Sequence, residues 1–309
     1  MGAEKCATFP RRDFLRTAGG IATASVLGAA GGCSRLLRGI SGGRGPFFFI
    51  QMSDPQFGMF SGNKDFEKET DLFEKAIAHA NRLRPRFVVV TGDLINEPGN
   101  EEQAGELRRI AGRLKRGIPL HWVAGNHDVE SVPTPKSLAW LRKTLGPDWY
   151  AFDQGGCRFI VLNSCLIQQP ANAPYEAERQ MEWLRRDLEA TRGRDCRHII
   201  VFMHHPVCLT SRGEEDGYFA LPRKARIPFL DLLHKYEVSA VFSGHCHRNA
   251  YCTDGDLELV ATGPVGKPLG DDPSGFRIVE VYADRLKHKY CGFDDVPERV
   301  ELGERRAAA

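Results

Sequence analysis

From residue 47 onward the chain alternates short, nearly continuous apolar runs with stretches of helical periodicity. Residues 47–52, 87–90 and 120–123 are mostly apolar runs that read as strands, the second of them buried. Between and after them, residues 65–83, 101–115 and 135–145 carry a helical period. These helices are stopped in turn by Arg84-Pro85, Gly117 and Gly146-Pro147. Residues 150–152 and 158–162 predict a hairpin around Gly155-Gly156. Residues 176–190 form an amphipathic helix whose Met181, Leu184 and Leu188 stripe reads as core packing. Runs at 198–203, 238–242, 257–261, 276–282 and 286–291 predict further strands, with a helix at 225–236 before the second of them. The order is βαβα in the first half and hairpin-like near the end, which places the chain in the α/β class. Residues 212–226 have no period and read as a loop; its functional alternative is a rim on which Arg212 or Arg223 meets an anionic group.

The N-terminus does not read as fold. Arg11-Arg12-Asp13-Phe14-Leu15-Arg16 precedes a Gly/Ala-rich, mildly apolar stretch from 17 to 32. Charged residues before a short apolar segment are export-signal architecture, and the twin arginines with Phe-Leu resemble a Tat signal. Its apolar part falls short of the roughly 18 residues of a transmembrane helix. Cys33 after Ala30-Gly31-Gly32 resembles a lipoprotein acceptor, with Ala30 where Leu is usual; lipidation there and ordinary cleavage nearby both fit. The organisation expected is therefore an export signal over 1–33, a Gly-rich linker over 34–45, one domain over 46–295 and a charged, frayed tail over 296–309. The implied location is periplasmic or cell-envelope, with the Tat machinery as a partner and Cys33 as the place for a lipid anchor.

Charge changes the picture by exclusion. The chain has 42 basic and 40 acidic side chains. Outside the first 32 residues the two signs balance, so no basic field gathers nucleic acid. The nine cysteines show no CxxC pairing. A zinc ribbon is excluded, no disulfide framework can be read, and most cysteines sit in strand-like runs as buried thiols.

The chemistry lies in five blocks, each directly after a predicted strand: Asp54-Pro55-Gln56, Gly92-Asp93, Gly125-Asn126-His127-Asp128, His204-His205 and Gly244-His245-Cys246-His247. Ligands of open α/β sheets gather beyond the carboxyl ends of strands, so the blocks point to one site. Mixed carboxylate and imidazole donors suit Mn, Fe or Zn. Two such ions polarise a phosphoryl group and activate water. One carboxylate must lie between them, and Asp93 is the natural choice. Gly92, Gly125 and Gly244 are expected to let the backbone turn tightly before each block. His79, His121, His198, His234 and His288 match no block and read as structural or solvated.

The series of blocks resembles the calcineurin-like metallophosphoesterase superfamily over about residues 46–292. Asp54-Pro55-Gln56-Phe57-Gly58, Leu162-Asn163-Ser164, Phe242-Ser243-Gly244-His245 and His247-Arg248-Asn249-Ala250 are similar to its serine/threonine phosphatase branch of the complete-S-transactivated-protein type. The resemblance implies a four-layer αββα sandwich of two mixed β-sheets flanked by helices, and two divalent metal ions (Mn, Fe or Zn). It implies Asp54 and His247 on the first metal, Asp93 between the two, and Asn126, His204 and His245 on the second. Asn126 would also meet the substrate. His127 would stabilise the developing charge or protonate the leaving oxygen, with Asp128 holding its ring, while a metal-bound hydroxide attacks phosphorus. His204 rather than His205 fits the superfamily's strand-His-x-Pro register. If both lie on a strand, His205 points to the opposite face. Gln56 stands where the superfamily has His; its amide oxygen is a weaker donor, so that the first metal is labile or Gln56 acts through water, and Asp-Pro-Gln is a feature shared with the named branch. Arg248, directly after the last ligand, is a better candidate for phosphate contact than Arg212 or Arg223, with a structural salt bridge as its equal alternative. The implied substrate is a phosphorylated small molecule or phosphoprotein. A phosphodiesterase acting on cyclic nucleotides or glycerophosphodiesters, and a non-catalytic metal-binding module, are the alternatives.

Overall fold

The computed structural model describes residues 43–303, so the expected export segment, most of the linker and residues 304–309 lie outside the described residues. In chain order the elements are β1 (Phe47–Met52), α1 (Glu67–Leu83), β2 (Val88–Val90), α2 (Glu101–Ala111), β3 (Leu120–Trp122), α3 (Asn126–Val129), α4 (Pro135–Thr144), β4 (Tyr150–Gln154) and β5 (Cys157–Val161). They continue with α5 (Cys165–Gln168), α6 (Pro174–Arg192), β6 (Ile199–Phe202), α7 (Arg223–Lys235), β7 (Ala240–Ser243), β8 (Ala250–Asp254), β9 (Leu257–Ala261), β10 (Gly275–Val281) and β11 (Leu286–Gly292). One sheet has the order β11-β10-β1-β2-β3 and the other β4-β5-β6-β7-β9-β8. Both are mixed: β1, β2 and β3 are parallel, as are β5, β6, β7 and β9, and hairpins supply the antiparallel edges.

The alternation of β1 explains the layering. Phe47 and Phe49 face the other sheet and pack with Phe159, Phe202 and Phe242, whereas Phe48, Ile50 and Met52 face Phe73 and Ile77 of α1 and Leu107 of α2. Phe49 stacks on Phe87 at 4.7 Å and meets the Phe159, Phe202 and Phe242 rings edge-on. On the far side, Leu184 and Leu188 of α6 and Phe229, Leu230 and Leu233 of α7 cover Ile160, Val201 and Val241, and Met181 packs against them. The result is helix, sheet, sheet, helix, the four-layer sandwich that the resemblance implies. Near the carboxyl ends of the parallel strands the seam between sheets turns polar. There Gln51 donates to Thr91 Oγ1 at 3.1 Å and to the Ser243 carbonyl at 2.9 Å, and accepts from Thr262 at 2.6 Å. These bonds tie the two sheets together beneath the ligand blocks.

The edge strand β8 was not expected: its residues alternate buried and exposed, and its short Ala250-Tyr251-Cys252 run ends at once in Thr253-Asp254. The four-residue helices α3 and α5 were also missed, being too short to show a period. The described part of the tail, up to residue 303, is held against the domain. Val296, Val300 and Leu302 pack against the outer apolar cluster of the five-stranded sheet, and Arg82 donates to the Pro297 and Glu298 carbonyls at 2.7 Å. Three apolar side chains spaced along a charged segment are enough to hold it down.

Candidate metal centre

The loops leaving β1 and β2 run side by side. Asp54 N donates to the Gly92 carbonyl at 3.1 Å and Gln56 N to the Asp93 carbonyl at 2.8 Å, and Phe57 bridges Ile95 in parallel. This brings Asp54 and Asp93 to one place. From the other sheet, the His245 amide donates to both carboxylate oxygens of Asp54 at 3.1 Å. The His127 amide donates to Asp93 Oδ1 at 2.9 Å. Asp54, Gln56, Asp93, His245 and His247 all have positive φ, between 38° and 70°. Non-glycine residues held there cost about 1–3 kcal/mol each and cluster where the surroundings over-determine them.

The glycines before the blocks differ from the expectation. Gly92 does turn, with φ +89°. Gly125 is extended, at φ −107° and ψ 173°. A Cβ there would collide with the Asp93 amide, and one at Gly244 would collide with Ser53 and Asp54. These two glycines provide room for the carboxylates rather than a tight turn.

Two groups of donors result. Asp93, His204 and His245 form one, and Asp54, Asp93 and His247 the other, each with its ligand atoms within 4.8 Å of one another and all buried. Asp93 belongs to both. Asn126 joins the first group, its Oδ1 lying 3.1 Å from His204 Nε2. Backbone carbonyls set the imidazole tautomers: His204 Nδ1 donates to Thr91 at 2.8 Å and His247 Nδ1 to Lys267 at 2.6 Å. Each therefore turns Nε2 inward. His245 presents Nδ1 instead, its Nε2 facing the Tyr218 carbonyl at 3.4 Å.

The electrostatics call for cations. Asp54 and Asp93 are buried, and their only ion-pair partners among the described residues are His247 and His204. Burial raises the pKa of Asp54. It does so for Asp93 too, but the neighbouring histidines, His204 first, prevail and hold that carboxyl below its ordinary range. Burial opposes charge on His204, yet Asp93 and Asp54 lift it to about 9. His245 is pushed down to about 3 by burial and by His204, so its lone pair is free. Gln56 adds a buried Oε1 with no hydrogen-bond partner, while its Nε2 donates to Asn96 Oδ1 at 3.0 Å. Buried carboxylates whose only ion-pair partners among the described residues are titratable imidazoles, and an unpartnered buried amide oxygen on Gln56, fit divalent metal ions.

Three sequence expectations need correction or refinement. Asp128 does not hold the His127 ring. Its carboxylate accepts from the Leu94, Ile95 and Gly125 amides at 2.7–3.1 Å, tying the loops after β2 and β3 together. The His127 ring is oriented instead by the Asn96 carbonyl, 2.8 Å from Nδ1. His205 does not point away from the site, because β6 ends at Phe202 and the strand alternation no longer applies. Its ring lies 4.4 Å from that of His245 by centroid, closer than His204 at 4.9 Å, but its Nδ1 bonds Ser164 Oγ at 2.9 Å and it is in neither donor group. Arg212 is engaged by Asp231 and Asp254, and Arg223 begins α7, so neither is shown at a phosphate position. Arg248 is exposed, has no ion pair among the described residues, and lies 5.3 Å over the Phe219 ring, which packs against His245.

Two positioning residues carried no legible role in the sequence. Ser164 Oγ accepts from the His204 and His205 amides at 3.2 and 2.9 Å; Asn163-Ser164 stood out only as part of a family motif. Asn96 acts through its backbone oxygen and its link to Gln56, which no residue-type pattern signals. The five unmatched histidines lie outside both donor groups.

Two mixed sheets carrying paired donor groups that share one carboxylate define a dimetal phosphoester hydrolase. The family model described as calcineurin-like phosphoesterase matches residues 49–249, and the chain belongs to that family. It is 38% identical over 271 residues to the serine/threonine-protein phosphatase CPPED1 of Bos taurus, covering 83% of this chain and 87% of that protein. It is likewise 38% identical to CPPED1 of Homo sapiens over 272 residues, with the same coverage. A dimetal phosphatase from Danio rerio shares the fold with a TM-score of 0.60 at 18% identity, over 80% of this chain and 96% of that one. A purple acid phosphatase from Lupinus luteus does so with a TM-score of 0.63 at 16% identity, over 82% of this chain and 52% of that one.

Proposed function

We propose that the protein is an exported phosphomonoesterase acting on phosphorylated side chains or small phosphomonoesters. The observation that carries this reading is the sharing of Asp93 between two buried donor groups with the half-buried His127 ring beside them. The likeness to serine/threonine-protein phosphatases over most of the chain supports the monoester class. Asp54, His247 and Asp93 would hold one divalent ion, with Gln56 adding a neutral oxygen. Asp93, Asn126, His204 and His245 would hold the other. Two bound ions supply charge for the phosphoryl oxygens and acidify a water. The chain itself supplies orientation. Asn96 keeps the Nδ1 proton of His127 engaged, so that Nε2 is the atom that exchanges a proton with the departing alcohol. Arg248, braced on Phe219, meets a remaining phosphate oxygen. Assay of phosphomonoesters, phosphodiesters and phosphopeptides after chelation and reloading with Mn, Fe, Zn or Mg tests the reading; turnover confined to diesters would overturn it.

Two outcomes follow for single residues. Gln56→His is expected to tighten the first ion about tenfold or more, read as the chelator concentration that removes half of it. Unchanged chelator resistance would show that position 56 is no ligand. Arg248→Ala is expected to raise KM for a phosphopeptide about tenfold, roughly 1.4 kcal/mol, with kcat within about twofold. A fall in kcat alone would place the side chain elsewhere in the reaction.

Export rests on the Arg11-Arg12 segment and the Cys33 motif. No helix among the described residues is long and apolar enough to cross a membrane, so tethering would depend on the N-terminal segment. A Tat route suits this centre, because metals can be loaded into a folded protein before transport. Fractionation of cells producing the tagged chain, with Arg11→Lys/Arg12→Lys as control, tests it. A wholly cytosolic protein with an uncleaved N-terminus would sink the proposal.

A further inference from the structure

Cys208 and Cys252 stand apart from the other cysteines. Their sulfurs lie 3.2 Å apart, both side chains are buried, and they are 44 positions apart in sequence. Among the described residues no other two cysteine sulfurs are in hydrogen-bonding contact. Cys208 ends the segment His204-His205-Pro206-Val207 and begins the loop that carries Tyr218 and Phe219 to the rim of the metal centre. Cys252 sits in the middle of β8, the edge strand that follows the His245–His247 block. The two sulfurs would have to approach by only roughly 1 Å more to reach bonding distance.

We infer that Cys208 and Cys252 are a modification site: under a mild two-electron oxidant, a peroxide in particular, they join as a disulfide that fastens the base of the rim loop to β8. Cys252 is the more exposed of the two, at 8% against 3%. Its sulfur attacks one peroxide oxygen, the O–O bond breaks, and a sulfenic acid and one water form. Cys208 sulfur then attacks the sulfenic sulfur, the S–O bond breaks, and the sulfenic hydroxyl leaves as a second water by taking up the Cys208 thiol proton. The thiols lose two electrons and the peroxide gains them. The ring so closed contains α7, β7 and the ligands His245 and His247, so the cross-link restricts the unfolded chain across the region that builds the centre. An oxidising compartment, where the proposed export would place the protein, would hold the bond closed. The juxtaposition itself does not depend on export.

The test is peptide mapping of the full chain after hydrogen peroxide treatment, with remaining thiols alkylated in denaturant and no reductant present. The expected result is a Cys208–Cys252 cross-linked peptide lighter by two hydrogens than the sum of its parts, and a thermal midpoint raised by roughly 5–10 °C that dithiothreitol reverses. Cys252→Ser should lose both the cross-link and the reversible gain while keeping the reduced protein's phosphatase activity. Both cysteines recovered fully alkylated after peroxide, or a cross-link formed through a different cysteine, would overturn the proposal. The map of the unmutated chain decides it even if Cys252→Ser fails to fold.

Discussion

Asp93→Asn is expected to leave a folded protein with fewer than one tightly bound metal ion per chain and a kcat/KM lowered at least about 10³-fold, roughly 4 kcal/mol of transition-state stabilisation. Asparagine has the same shape as aspartate and keeps an oxygen able to accept from the His127 amide, which now bonds Oδ1 at 2.9 Å. What it removes is the one negative charge that belongs to both donor groups. Each ion would lose a ligand and a counter-charge together, and the histidines beside Asp93 would lose the carboxylate that compensates them. Asp54→Asn makes the contrast, since Asp54 belongs to one group only: it should release one ion and leave the other. Metal analysis of the purified variants, beside melting curves to confirm folding, separates the two. Full activity with two retained ions in the Asp93 variant would end the shared-carboxylate reading.

The parts of this protein that were legible in its sequence are those that depend on backbone period and on residue type. Every central strand stands out as an apolar run because both of its faces are covered, one by the second sheet and one by helices. Strand β8 did not, because its short Ala250-Tyr251-Cys252 run ends at once in Thr253-Asp254. Donor identity was equally legible, since few side chains bind metal and each block follows a strand. Direction was not. Asp128 follows His127 directly, yet its carboxylate turns back to the Leu94 and Ile95 amides. The His205 ring faces His245 because the chain leaves the strand one residue earlier than alternation assumed. Gly125 and Gly244 serve close approach rather than a turn, a distinction that exists only once two sheets are brought together. Ser164 and Asn96 were missed for a related reason: they act on backbone amides and through backbone carbonyls, and these carry no residue-type signature.

His127→Ala is expected to slow the hydrolysis of alkyl phosphomonoesters, phosphoserine peptides among them, by about 10²–10⁴-fold, the range of a positioned proton donor. With p-nitrophenyl phosphate the loss should be no more than about tenfold, because that leaving group departs without a proton. The difference between the two substrates, rather than the loss itself, identifies the role. Position favours it: His127 is in the first turn of α3, next to Asn126 and half-buried, so its ring can meet both solvent and substrate. Its Nδ1 proton is committed to the Asn96 carbonyl at 2.8 Å, and Nε2 alone is left for chemistry. A ring that merely stabilised charge on the phosphoryl group would instead show equal losses for both substrates. A ring that served as a ligand would show itself in metal content, which should stay at the unmutated level here. Equal slowing with two ions retained would move His127 from proton donor to electrostatic contact, and loss of an ion would move it into the coordination shell.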